Sequence, residues 1–145
     1  MDVSSLQDDG SVELWQPWLV RGGRSTWGSY IVRAEGDLYD AKKQFASDLM
    51  WMDNLPNHIV LDNLRLVHAG YDPRMPLDLQ GDKEILWIRK RFYTNGFAVD
   101  PDRNVVFGHS TTTKVGPNPG YVAESDVRLS NGRPAWIAMD VGAYN

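Results

Sequence analysis

Two of the three histidines stand where an apolar run stops and a turn of small residues begins. Their contexts are Leu66-Val67-His68-Ala69-Gly70 and Val105-Val106-Phe107-Gly108-His109. Ligands gather at the carboxyl ends of strands in layered α/β sheets, because a rigid strand fixes the side chain and small neighbours leave room. A neutral imidazole in such a place can ligate Zn, Mn or Fe. Bonded to a backbone carbonyl it is an ordinary turn residue, and spacing alone, with no HxH or HExxH pattern, leaves both readings open. His58, after Asn57 in a turn beyond Pro56, reads as structural. The third chemical candidate is Arg89, within Trp87-Ile88-Arg89-Lys90-Arg91. Its planar guanidinium can hold a phosphate through two hydrogen bonds. Equally, a cation late in a helix favours the negative end of the helix dipole, which is the role expected of Lys90 and Arg91. The Gly22-Gly23 pair is too little for a phosphate-cradling loop.

The elements that must position these residues can be read from apolar spacing. Trp15 to Val20 is a short aromatic segment closed by the glycine pair, and it opens an order of strand, helix, strand and hairpin. Ala41, Phe45, Leu49 and Met52 share one face of a helix over about 41–53, with Asp40 as its cap and Pro56 blocking continuation. Ile59-Val60-Leu61 and Leu64-Arg65-Leu66-Val67 read as two strands around a two-residue turn, Asp62-Asn63. A second helix is expected from about Lys83 to Tyr93, capped by Asp82. Asn104 to Phe107 is a short buried strand, and Ser110 to Gly120 a loop. A final hairpin pairs Val127–Leu129 with Trp136–Met139 around Asn131-Gly132. This order predicts a mixed α/β layered domain over residues 15–145, preceded by a flexible lead-in over 1–14.

Composition narrows the class. The 145 residues suit one ordinary domain, and 42% hydrophobic residues with 6 Trp, 6 Tyr and 4 Phe suffice for a buried core. With no Cys there is no disulfide, thiolate metal site or cysteine nucleophile. A net charge of −4 argues against a nucleic-acid partner. No apolar run approaches the roughly 18 residues of a membrane span. The opening MDVSSLQDDGS lacks the pattern of a secretory signal. A cytoplasmic protein that engages no membrane is expected.

Taken in order, Val67-His68-Ala69-Gly70, Leu86-Trp87-Ile88-Arg89, Val106-Phe107-Gly108-His109-Ser110 and Met139-Asp140-Val141-Gly142-Ala143 resemble the calcineurin-like metallophosphatases. The likeness is greatest to their bacterial and phage serine/threonine protein phosphatase branch. Trp18-Leu19-Val20-Arg21-Gly22-Gly23 with Thr26, Ser29 and Tyr30 is similar to another segment of that branch. The resemblance implies a β-sandwich flanked by helices, and two divalent metals, with Mn expected and Fe, Zn or Ni as alternatives. These activate a water to hydroxide that attacks phosphorus. It implies that His68 and His109 ligate the second metal and that Arg89 contacts the substrate phosphate. The substrate would be a phosphorylated protein or a small phosphoester. Ser110-Thr111 after His109 matches the protein phosphatases, where diadenosine tetraphosphatases, the nearest alternative, usually carry Trp.

Three motifs of that family, Gly-Asp-x-His-Gly, Gly-Asp-x-x-Asp-Arg-Gly and Gly-Asn-His-Glu, do not occur in these residues. They would supply the first metal's ligands, the bridging carboxylate and the acid catalyst, so no catalytic acid is assigned in this chain. The expectation is therefore a partial fold, its N-terminal third missing, incompetent alone and completed by a separate N-terminal half. A non-catalytic remnant or interaction module is the alternative from another class.

Overall fold

The sheet that carries the histidines is assembled from short strands whose order in space differs from their order in sequence. The computed structural model describes residues 16–118 and 120–142, and the chain divides at Leu55/Pro56 into two compact units. The expected lead-in over 1–14 lies outside the described residues, as do Trp15 and Ala143.

In the first unit, residues 16–20 are helical rather than extended, and a π-helical turn over Leu19–Gly23 leads into α1 (Arg24–Arg33). Gly22 has φ +110°, and a Cβ on Gly23 would lie 2.2 Å from the Trp18 ring, so the glycine pair meets both needs of a close turn. The second helix, α2, spans Leu38–Asp53. It starts three residues before the expected position because Asp37, not Asp40, caps it, accepting from the Tyr39 and Asp40 amides. Ala41 and Phe45 are buried with Trp27 and Tyr30, whereas Leu49 and Met52 are exposed.

The second unit carries the five-stranded sheet. Its elements are β1 (His58–Val60), β2 (Leu64–Val67), α3 (Asp82–Trp87), α4 (Lys90–Tyr93), β3 (Asn104–Phe107), α5 (Thr112–Val115), β4 (Ala123–Glu124) and β5 (Trp136–Ala138). The strand order is β1-β2-β3-β5-β4. The β1–β2 pair is antiparallel around Asp62-Asn63 as expected, while β2, β3 and β5 run parallel. The molecule is thus mixed α/β with an open mixed sheet. Val67, Phe107 and Ala138 face a core shared with Tyr71, Ile85, Phe92 and Trp136. One residue along each strand, Ile59, Leu66, Val106 and Ile137 form a row on the other face, and Ile59 and Leu66 are 46% and 36% exposed.

Four expectations are corrected in this unit. The single helix over 83–93 is broken: Ile88 is extended (φ −60°, ψ 146°) and Arg89 is non-helical. The Ile85 carbonyl, which an unbroken helix would offer to the Arg89 amide, accepts instead from the Ala69 amide at 2.8 Å. Gly81 rather than Asp82 takes the cap position, its amide held by Glu84 Oε2 at 3.2 Å. The loop over 110–120 holds one helical turn, α5. The last hairpin is also shorter than expected. Arg128 bridges Pro134 around the Asn131-Gly132 turn, but β5 takes β4 as its antiparallel partner. The Ala135 amide still donates to the Val127 carbonyl at 2.8 Å, but the next carbonyl, that of Trp136, accepts from the Ser125 amide, where the partner changes to β4.

Candidate functional site

Parallel pairing places the carboxyl ends of β2 and β3 side by side, with Val67 opposite Phe107. The Gly108 amide donates to the His68 carbonyl at 2.9 Å, carrying the pairing one step beyond the strands. His68 and His109 are 41 residues apart in sequence, yet His68 Nε2 lies 3.1 Å from His109 Nδ1. One of these nitrogens donates and the other accepts, so the pair shares a proton at the point where both lone pairs could instead meet a cation.

His109 sits in left-handed backbone, φ +59°. A non-glycine residue there costs on the order of 1 kcal/mol or more, and such conformations cluster at functional sites. Burial holds the His109 imidazole below its ordinary pKa, the nearby charges of Arg89 and His68 add to this, and Asp140 opposes it. The balance favours the neutral ring, the form that ligates metals. His109 Nε2 is itself buried without a hydrogen-bond partner. The Trp87 and His109 rings stand nearly perpendicular, 89° apart with centroids at 5.8 Å.

Arg89 joins this cluster because the helix breaks. From its non-helical position its Nη1 donates to the His109 carbonyl at 3.4 Å, and its guanidinium remains solvent-accessible. All three residues singled out for chemistry, His68, His109 and Arg89, therefore converge. His58 stands apart from them in role: it lies in β1 with its ring 5.9 Å from that of Tyr71.

Sequence reasoning missed two groups. Asp140 follows β5, and its carbonyl accepts from the Thr112 amide at 2.8 Å, which fixes the loop beside His109. Arg91 is not a free surface cation: its Nη1 donates to Asp72 Oδ2 at 2.9 Å. Asp72, 3% exposed, also takes Nε and Nη2 of Arg74 at 3.1 and 2.8 Å. The only sequence signal for this group was the Asp72-Pro73-Arg74 turn.

Two metal ions are implied by the resemblance, and the donor set meets that demand only in part. Bonds of about 2.0–2.1 Å at angles near ~100° place two ligand nitrogens roughly 3.1 Å apart, so the imidazole pair suits one divalent ion. No group of three or more His, Asp or Glu residues that could hold a metal exists among the described residues. The site therefore fits part of one coordination shell and does not fit two ions. Among the described residues no helix is long and apolar enough to cross a membrane. Compared with known proteins, the chain matches no family model, no curated protein and no solved structure.

Proposed function

We propose that this chain contributes the second-metal and phosphate-binding part of a metal-dependent phosphoester hydrolase, serine/threonine phosphoprotein phosphatase-like in type. The observation that carries the reading is the 3.1 Å approach of His68 Nε2 to His109 Nδ1 with Arg89 bonded to the same loop. The two imidazoles would hold a divalent ion, which when bound polarises a phosphoryl oxygen as a Lewis acid. Arg89 presents a fixed guanidinium to the phosphate, and such a fork stabilises the charge that gathers on the oxygens during phosphoryl transfer. The half-exposed row Ile59, Leu66, Val106 and Ile137 supports a further layer on that face of the sheet, as a calcineurin-like sandwich has. A separate N-terminal half would bring both that layer and the carboxylates that the histidine pair lacks.

The test is binding rather than turnover. Calorimetric titration of the purified chain with Mn should show one ion bound per chain, and His68→Ala or His109→Ala should each remove it. Inorganic phosphate, followed by phosphorus NMR, should bind in a manner weakened by Arg89→Ala while leaving Mn binding nearly intact. Metal binding indifferent to both histidine substitutions would overturn the reading and favour a non-catalytic interaction module.

A further inference from the structure

Beside Arg89 the surface opens into a groove of about 250 Å³, lined chiefly by Asp72, Lys83, Glu84, Trp87, Arg89 and Arg91. Its floor is built around one buried carboxylate. Asp72 takes two side-chain bonds and the backbone amide of Arg74, and one bond from Arg91. Yet the two arginine side chains are 67% and 55% exposed. Arg74 spends Nε and Nη2 on Asp72, and Arg91 spends Nη1, so each keeps N–H groups directed elsewhere. Three cations of the lining, Lys83, Arg89 and Arg91, face two carboxylates, Asp72 and Glu84, and the groove stays positive. A guanidinium already fixed by a buried anion loses little side-chain freedom when it binds a second one.

We infer that Arg91, held in place by Asp72, is an anion subsite next to Arg89 that receives a second negative group carried by the same phosphoester. The inference rests on the reading of Arg89 as the phosphate residue and adds the substrate class: phosphoesters bearing another anion within reach. That anion is a further phosphate or the carboxylate of an acidic residue beside a phosphoserine, and both offer paired oxygens to a guanidinium.

The full chain is titrated at low salt with inorganic phosphate, pyrophosphate and a short phosphoserine peptide flanked by aspartates. At least one of the last two should bind about tenfold or more tightly than phosphate, the gain expected of a charge-assisted hydrogen-bonded pair. Which of them gains identifies the source of the second anion. Arg91→Ala should collapse that ratio, costing the two-anion probe at least tenfold more affinity than it costs phosphate, and Arg91→Lys should restore part of it, being a point charge without a fork. Thermal melts of each variant separate binding from folding. Equal affinity for all three probes, or an Arg91→Ala effect confined to the melting temperature, would overturn the subsite. Phosphate binding that depends on Arg89 would survive such a result. A ratio that depends on Arg91 together with indifference to Arg89→Ala would instead sink the proposed function alone. Binding of none of the probes would sink both.

Discussion

A buried carboxylate answers for the placement of two arginines, and its ionisation should be visible in stability. The hydrogen bonds from Arg74 chiefly, with the one from Arg91, hold the Asp72 carboxyl well below the usual carboxylate range, overcoming the opposing effect of burial. Its folded form therefore releases its proton more readily than its unfolded form. The stabilisation is complete above about pH 4, the ordinary aspartate value, and drains away as pH falls through the lower folded value. Asp72→Asn should cost on the order of 1 kcal/mol at neutral pH, because water replaces part of what the exposed arginines lose. That corresponds to a fall of several degrees in melting temperature for a unit of this size. Thermal melts from pH 7 to pH 3 should show the gap between Asp72→Asn and the native chain closing below about pH 4. A gap that stays constant would mean that Asp72 is not ionised where it sits.

Between strand and helix the chain makes a close approach at Gly70, which has φ +142°. A Cβ there would stand 2.4 Å from Cδ1 of Phe92, a ring with no exposed surface that packs against Phe107. Gly70→Ala should cost about 2–4 kcal/mol, from overlap and an unfavourable backbone together. Calorimetric melting of the variant checks this, and a native-like melting temperature would show that the turn after β2 has slack. The same region shows what was legible in the sequence. The strands over Leu64–Val67 and Asn104–Phe107 were readable, since short apolar runs bounded by turn residues leave few alternatives. The placement of His68 and His109 at their ends followed. The break at Ile88–Arg89 was not readable, because the donor that captures the Ile85 carbonyl is Ala69, an event of tertiary contact that local spacing does not encode. The Asp72–Arg91 bond, across 19 residues, was hidden for the same reason: Arg91 does lie in the last turn of a helix, the short α4, but its Nη1 is bonded to Asp72. The shortened last hairpin was not readable either, because Trp136–Ala138 exchange Val127–Leu129 for Ala123–Glu124 as partner, a choice between two nearby strands that local spacing does not encode.

For the whole molecule the governing quantity is the number of groups able to hold metal. Two imidazoles carry no negative charge, and nothing among the described residues bridges a pair of cations. Purified alone, the chain should hydrolyse p-nitrophenyl phosphate with Mn at close to the background rate. Robust turnover abolished by His109→Ala would show that a carboxylate of this chain, or of a second copy, completes the site. The parallel pairing of β2 with β3 has a different consequence. Because one histidine follows β2 and the other follows its neighbour β3, the stretch from His68 through the crossover and β3 to His109 is a single piece of chain that contains Asp72, Arg74, Arg89 and Arg91 as well. Such a site is inheritable as a block. One recombination event flanking the crossover can carry it whole onto another sheet with two adjacent parallel strands, and a circular permutation that opens the chain at Asn131-Gly132 leaves every one of its members in sequence.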